Sequence, residues 1–402
     1  MSTKIAVALS GGVDSSVTAK ILKDERQALV GLFLKLWSDP MCGVERDNRC
    51  CNYQALEDAR MVAAKLNIPF YVIDAKKEFK KEVVDYFLRE YQNLRTPNPC
   101  IVCNEKIKFD LLLKKALEIG CEKLATGHYA RIKRNFNAQT PMLNQTLNSK
   151  SQKFENLNIK KLNENWNLKI ENYLLKGIDE SKDQSYMLYR LNQDQLSKVL
   201  LPLGNMIKKE VRDLATKWDL PVKEKPESQE ICFFADRDYR IFLKRYLDEK
   251  FFASGDIVDK NGKIIGHHDG LLNYTIGQRR LIDQLISQSA SQQSAEKKPL
   301  YVVGFNVNKN QLIVGSDADV YKKEMIVSNL NWIDPKAISH KLKANSLSVK
   351  IRYHHPENPC AIEKSGEKLI VKFKKPQRAV TPGQSAVFYI GDEVIGGGII
   401  EN

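Results

Sequence analysis

The stretch AVALSGGVDSS, residues 6–16, constrains this chain more than any other. It opens in an apolar run, residues 5–9, that reads as a buried strand. Gly11 and Gly12 break the run, and a helical pattern follows over 13–22, with Val17 and Ile21 four apart on one face. Strand, glycine turn and helix N-terminus together make a phosphate site, because the glycines admit an anion close to the backbone. The unpaired N–H groups of the first helical turn, Ser15 and Ser16 among them, point at it. Asp14 would repel a bare phosphate, so a carboxylate here implies a metal ion between the two. The turn holds no Lys, which excludes a Walker loop, and its adjacent glycines exclude the dinucleotide GxGxxG. The plain alternative is an ordinary Gly-Gly turn before a helix.

The chain has 402 residues, too many for one compact core, so roughly two or three domains are expected. A formal charge of +14 favours a polyanionic partner, or else reflects a lysine-rich background. No apolar run reaches the roughly 18 residues of a membrane span, so no membrane association is expected. The chain enters a strand at once, which reads as the absence of a signal peptide. Its eight cysteines lack the spacing of a secreted disulfide framework. They read as thiols in a reducing compartment, with a cytoplasmic location expected.

Over residues 4–127 strands (29–36, 70–73, 123–126) alternate with helices (55–66, 79–91, 109–117). This is α/β, doubly wound parallel-sheet order, with a ligand crevice at the carboxyl ends of the strands. Residues 135–172 are rich in Asn, poor in large apolar side chains and without a period, and read as a solvated insertion. A strand at 173–178 and helices at 184–191 and 208–218 follow, the last with Val211, Leu214 and Trp218 facing inward. Beyond about residue 250 come short strands. Residues 255–266 form a hairpin with a Lys-Asn-Gly turn, and 287–295 a linker. Strands at 301–305, 311–314, 346–351, 368–373, 385–390 and 394–400 suggest a small antiparallel β-barrel. The expected division is 1–202, a nucleotide-binding catalytic domain; 203–282, a small central domain; and 283–402, a C-terminal barrel that binds RNA.

Two further stretches carry chemistry. In RTPNPCIVCNEKIKF, residues 95–109, Pro97 and Pro99 favour an extended loop. Cys100 and Cys103 follow in a loop that opens a helix, where the helix N-terminus and Lys106 and Lys108 lower a thiol pKa. The bland reading is half of a zinc site completed by Cys42, Cys50 or Cys51. In KPESQEICFFADRDY, residues 225–239, a lone Cys232 before Phe233 and Phe234 is by itself a packing residue. Cys121 and Cys360 also read as packing residues, and the pairs His267-His268 and His354-His355 as surface or RNA-facing groups.

SGGVDSS resembles the pyrophosphate loop of the ATP pyrophosphatases, which split ATP between its α and β phosphates. That loop, NPxxxCN and ESQxICF in this order resemble the tRNA-specific 2-thiouridylases, which place sulfur on C2 of the wobble uridine of certain tRNAs. GLFLKLW (31–37), ATGHYAR (125–131), KDQSYML (182–188), YTIGQRR (274–280) and PGQSAVFY (382–389) extend the resemblance over most of the chain.

The resemblance implies roles. Ala8, Leu9, Ser10, Gly11, Gly12, Val13, Asp14 and Ser15 would hold the phosphates of ATP with Mg2+, and Leu34 and Gly127 would line the adenosine site. Cys232, carried back to the ATP site by residues 225–238, would bear a persulfide from a sulfur-donor protein, a cysteine desulfurase or sulfur relay. Cys103 would be its partner thiol. Asn98, Pro99 and Cys100 would lie against the flipped target base. His128, Lys182, Asp183, Gln184, Arg352, Tyr353 and Gln384 would contact tRNA. The residue types suit the reaction: a C2 oxygen leaves readily once adenylated, a persulfide is a soft nucleophile, and two cysteines deliver sulfur and take up the S–S bond.

Two departures stand out. Many family members have Asp where this chain has Cys100, and the alternative to a persulfide is an iron–sulfur cluster held by Cys100, Cys103 and Cys232. Leu281-Ile282 replaces the usual Gly-Leu after YTIGQRR. Two rivals lie outside thiolation. An amide-forming ligase of the same loop class needs no reactive cysteine pair. An RNA-binding module with a relic loop needs neither Asp14 nor the cysteines.

Overall fold

The first strand, β1 (Lys4–Ala8), is apolar on both faces and is buried on both. Ile5 and Val7 pack with Val17 and Ala59 on one side, while Ala6 packs with Phe109, Leu112 and Leu124 on the other. Burial on both faces is what covers a parallel sheet with helices. In the computed structural model, residues 3–39, 53–137, 169–227, 231–233, 238–279, 299–333 and 346–401 are described.

The parallel sheet has five strands in the order β3-β2-β1-β4-β7. These are β2 (Ala28–Lys35), β3 (Phe70–Asp74), β4 (Lys123–Ala125) and β7 (Val199–Leu200), around β1. Helix α1 (Val13–Asp24) leaves β1, and α2 (Tyr53–Lys65) packs beside it. Helix α3 runs as Lys76–Phe79, a π-helical stretch Lys80–Val84, and Asp85–Gln92. Helix α4 is similar, with Pro99–Val102, a π-helical Cys103–Leu112 and Leu113–Glu118. Helix α5 (Gln193–Lys198) leads into β7, and α6 (Lys208–Lys217) packs Val211 against the α1 layer. The doubly wound order read from the sequence is therefore present.

Helix α7 (Tyr239–Tyr246) precedes a small four-stranded sheet of order β10-β11-β8-β9. Its strands are β8 (Gly255–Val258), β9 (Ile264–His268), β10 (Tyr301–Asn306) and β11 (Gln311–Gly315). The sequence reading assigned 301–305 and 311–314 to the C-terminal barrel. They pair instead with the 255–268 hairpin, through a parallel β11–β8 contact that strand periodicity cannot foresee. His268 also departs from its reading as a surface group. It is buried, with Nε2 against Asn310 O at 3.0 Å and Nδ1 accepting from Gly270 N at 3.1 Å.

The barrel closes through β12 (Tyr321–Trp332), β15 (Lys368–Arg378), β14 (Asn358–Ser365), β13 (Leu347–Lys350), β16 (Ser385–Ile390) and β17 (Glu393–Ile400), which returns to β12. Strands β5 (Ala130–Asn137) and β6 (Lys169–Lys176) extend this sheet as an antiparallel hairpin. The ends of the Asn-rich insertion are thus paired strand, and Asn172 is buried, because each strand supplies the other's ladder partners. The interior of that insertion, the 287–295 linker and Leu281-Ile282 lie outside the described residues. No described helix is long and apolar enough to cross a membrane.

Candidate active site

The glycine loop lies where β1 ends, between β2 on one side and β4 on the other. Successive connections leave in opposite directions there, and an open α/β sheet forms its ligand crevice at that switch point. Gly11 has φ +70°, and a Cβ on it would sit 2.3 Å from Ala55 O. Only glycine fits, and the turn keeps its backbone open to a ligand. Gly127, just beyond β4, backs the same loop: its Cβ would lie 2.9 Å from the Asp14 carbonyl carbon. Ser15 Oγ donates to Gly12 O at 3.0 Å and accepts from Ser10 N at 3.2 Å, and Ser16 Oγ donates to Gly12 O at 2.9 Å. Leu9, Gly11, Val13 and Ser15 are buried, Ala8, Gly12 and Asp14 half-buried, and Ser10 exposed. Leu34 is half-buried near the end of β2.

The charge of Asp14 is offset by protein groups that the sequence reading did not single out. Lys208 Nζ donates to both of its oxygens, at 2.7 and 2.8 Å. Tyr129 OH donates to Oδ1 at 2.8 Å. Burial and the Asp14 charge push the Tyr129 hydroxyl well above its ordinary pKa, so it remains a donor. Lys208 also lies 3.5 Å from Glu227, which accepts from Lys182 at 2.7 Å. The hydrogen bond from Lys182, with Lys208 nearby, holds the Glu227 carboxyl below the usual range against the opposing effect of burial. Lys225 Nζ donates to Gly11 O at 2.9 Å and to Asp58 Oδ2 at 2.5 Å. No local signal marks Lys208. Lys225 and Glu227 fall in the KPESQEICFFADRDY stretch, where the sequence assigns neither of them a role.

Cys100 and Cys103 lie on α4, and Cys232 lies in the segment before α7. Asn98 caps α4, its Oδ1 accepting from Cys100 N at 3.2 Å, and Pro99 occupies the first helical position. The extended stretch expected from the prolines ends at Asn98, and Cys100 and Cys103 lie on the helix itself and not in a loop before it. Proline is tolerated there because its missing N–H has no intrahelical acceptor. Cys103 is buried in a cluster with Phe87, Phe233 and Phe242, and Cys232 packs against the same cluster. Phe233 anchors that approach, edge-on to Phe79, Phe87 and Phe242 at 5.9, 5.3 and 5.5 Å. Cys100 is exposed. Among the described residues no group of three or more His, Cys, Asp or Glu is placed to hold a metal ion. Cys100, Cys103 and Cys232 therefore do not fit an iron–sulfur cluster as arranged here. Cys42, Cys50 and Cys51, the other half of the zinc reading, lie outside the described residues. Burial pushes the Cys121 thiol up and the Cys360 thiol up to about 12, as suits packing residues.

The residues expected at RNA take varied positions. Lys182 is half-buried on Glu227. Asp183 is buried, its oxygens accepting from Gly177 N, Ser185 N and Ser185 Oγ at 3.0, 3.0 and 2.9 Å. Gln184 Oε1 accepts from Tyr129 N at 3.0 Å. His128 Nδ1 contacts Thr126 Oγ1 at 2.8 Å, and burial, with Lys108 nearby, holds its pKa well below 6.5. Arg352 and Tyr353 are half-buried on the barrel, where the Tyr353 ring lies tilted by 49° against Tyr186, centroids 6.1 Å apart. Tyr353 borders an open cleft of about 630 Å³ that Arg131, Lys176, Lys350 and His354 also line. Asn98 donates to Met187 S at 3.7 Å, and Gln384 to Thr96 O at 2.8 Å.

Three family models cover the chain: a tRNA methyl transferase HUP domain over residues 3–236, a tRNA methyl transferase PRC-barrel domain over 240–316, and an aminomethyltransferase β-barrel domain over 322–400. The chain is 42% identical to tRNA-specific 2-thiouridylase MnmA 2 of Thermoanaerobacter sp. (strain X514), across 100% of this chain and 98% of that protein. It is 42% identical to MnmA of Carboxydothermus hydrogenoformans, over 99% and 97% of the two chains. It is 40% identical to MnmA of Clostridioides difficile, over 100% and 99%. With strand, glycine loop and both cysteine motifs in one frame, the chain belongs to the tRNA-specific 2-thiouridylase family.

Proposed function

We propose that this protein is a tRNA-uridine 2-sulfurtransferase that uses ATP to form 2-thiouridine at the wobble position. One observation carries the reading: Cys103 and Cys232, 129 positions apart in sequence, share one hydrophobic cluster on the domain that bears the glycine loop. Two thiols suffice for a nucleotide-activated sulfur transfer, one to deliver sulfur and one to take up the S–S bond. The family relationship over the whole chain supports the same reading.

In this reading residues 8–15 take the phosphates of ATP, and Leu34 and Gly127 its adenosine. The Gly11 turn suits a phosphate, since its left-handed backbone, packed on Ala55, leads straight into the N-terminus of α1. Mg2+ bound with the triphosphate would lie toward Asp14 and shield its charge. The uridine O2 attacks the α-phosphate, and pyrophosphate leaves. Cys232 arrives carrying a persulfide from a cysteine desulfurase or relay protein. Its terminal sulfur attacks C2, and AMP departs with the former carbonyl oxygen. The Cys103 thiolate then attacks the Cys232 sulfur, which frees the new C2 sulfur and leaves a Cys103–Cys232 disulfide. A thiol reductant restores both thiols. The burial of Cys103 keeps that thiol from water and from competing oxidants until the base is seated.

Asn98, Pro99 and exposed Cys100 would face the extruded base, which must leave its stack to be reached. Lys182, Arg352 and Tyr353 would contact RNA directly, with Tyr353 as a stacking surface. Asp183, Gln184 and Gln384 would act there through the backbone they hold, and His128 through the Thr126 hydroxyl it contacts. The test is incubation of unmodified tRNA with ATP and a persulfide donor, followed by nucleoside mass spectrometry. Stoichiometric 2-thiouridine and pyrophosphate are expected. Pyrophosphate release without tRNA dependence, or none at all, would sink the reading.

A further inference from the structure

Solvent reaches the three thiols of the sulfur-transfer centre unequally. Cys100 is exposed, Cys103 is buried with Phe87, Phe233 and Phe242, and Cys232 is half-buried against the same cluster. A Cys103–Cys232 disulfide left by sulfur transfer therefore has one sulfur inside the cluster and the other packed on it. Thiol–disulfide exchange needs access to a sulfur of the bond, so burial slows attack by any outside reductant. Cys100 lies one helical turn before Cys103, because Pro99–Val102 and the π-helical Cys103–Leu112 run on as one helix. Residues three apart on a helix share a face, with Cα atoms about 5 Å apart from rise and radius, within the roughly 4.4–6.8 Å that a disulfide spans. Burial, then the charges of Asp183 and Cys100, push the Tyr353 hydroxyl up to about 12, which sets Cys100 within electrostatic reach of the ring that borders the open cleft. The CxxC pair thus joins an outer sulfur to an inner one.

We infer that Cys100 is a catalytic residue of the recovery step, which relays the disulfide from the buried Cys103–Cys232 pair to a Cys100–Cys103 pair at the surface. This rests on the sulfur-transfer reading given above. Once the thiolated base has left, the Cys100 thiolate attacks Cys103 Sγ. The Cys100–Cys103 bond forms, the Cys103–Cys232 bond breaks, and Cys232 leaves as a thiolate that takes up a proton in place of the one Cys100 gave. No net oxidation occurs in this exchange, and Cys232 is freed for the next persulfide. An external dithiol then attacks the exposed Cys100 sulfur, is itself oxidised to a disulfide, and returns both CxxC thiols. A carboxylate at position 100 cannot make this exchange.

The experiment uses the full chain, purified without oxygen, with its iron content measured first. Diamide oxidises the protein in the absence of tRNA and ATP, and the remaining thiols are alkylated. Trypsin leaves Cys100 and Cys103 on one peptide, residues 96–106, and Cys232 on another. Mass spectrometry then reads a Cys100–Cys103 bond as a loop within peptide 96–106, and a Cys103–Cys232 bond as two joined peptides. Wild type is expected to hold the loop as its main disulfide, with Cys232 alkylated, and Cys100→Ser to hold the joined peptides. Dithiothreitol should reduce the joined form in Cys100→Ser about tenfold or more slowly than the loop in wild type. Cys100→Asp carries the same comparison should the serine variant not fold. Joined peptides as the main wild-type product, or equal reduction rates, overturn the inference, as does iron bound by the three cysteines in place of thiols. Failure of Cys100→Ser to form a Cys103–Cys232 bond, with both thiols still alkylated, overturns the two-thiol reading itself, and the inference with it.

Discussion

Gln384, on the barrel, donates from Nε2 to the carbonyl oxygen of Thr96 at 2.8 Å, and the Thr96 N–H donates to Pro382 O at 2.8 Å. Both backbone groups of the residue two positions before Asn98 are therefore held by the C-terminal domain. The barrel therefore fixes the entrance of the helix that bears Cys100 and Cys103. Gly383 makes the approach possible: its φ is +89°, and a Cβ there would stand 2.8 Å from Thr96 N.

Gly383→Ala tests that contact. The left-handed backbone and the collision together cost on the order of 1–2 kcal/mol or more, and kcat/KM for tRNA thiolation should fall about tenfold or more. Nucleotide affinity should be unaltered, since the glycine loop lies elsewhere. Steady-state thiolation with a separate nucleotide Kd checks both. An unchanged kcat/KM would mean that the docking of the barrel on Thr96 plays no part in catalysis.

Gly11→Ala should abolish nucleotide binding and leave the fold otherwise intact. The new methyl would meet Ala55 O, and relief requires moving the turn that receives the phosphates. Isothermal titration with ATP and Mg2+ reads the loss. Binding within a few-fold of wild type would remove the loop from the phosphate site.

Cys232→Ser and Cys103→Ser should fail differently. The first has no sulfur to give, so thiolation falls at least about a thousandfold while ATP and tRNA still bind. The second can still attack C2 but cannot resolve the adduct. It should trap tRNA on the enzyme in a form that dithiothreitol releases as 2-thiouridine-containing tRNA. Denaturing gels with and without reductant separate the cases. Normal multiple turnover by either variant would refute its assignment.

His128 makes a pH prediction. Burial, with Lys108 nearby, lowers its pKa in the folded protein well below the ordinary 6.5. Below that ordinary value the unfolded chain binds a proton that the folded chain refuses, so stability is present above about pH 6.5 and falls as pH drops through it. Thermal midpoints between pH 8 and pH 5 should decline on the acid side, and His128→Gln should flatten part of that decline. His268 and His355, also lowered chiefly by burial, supply a remaining slope. A profile identical in His128→Gln would rule out His128 as a contributor.

Much of the molecule is written locally. Residues 5–16 determine a strand, a turn that only glycine can make, and a helix, because each depends on near neighbours and on side-chain period. The same holds for the 255–266 hairpin and for the run of barrel strands. The motif order also carried the family relationship, and with it the cysteines. What tertiary structure alone decided concerns partners distant in sequence. Strands 301–306 and 311–315 join the 255–268 hairpin rather than the barrel, because an edge strand takes whichever edge the fold brings near. Lys208 pairs with Asp14 across 194 positions, and no pattern around either residue announces the other. Asp183 and Gln184 turn inward to hold backbone, a choice set by unsatisfied N–H groups of Gly177, Ser185 and Tyr129 that exist only once those segments meet. Cys103 and Cys232 come to one cluster for the same reason: side chains such as Phe87, Phe233 and Phe242 leave water only by packing on one another, and that requirement is settled in three dimensions.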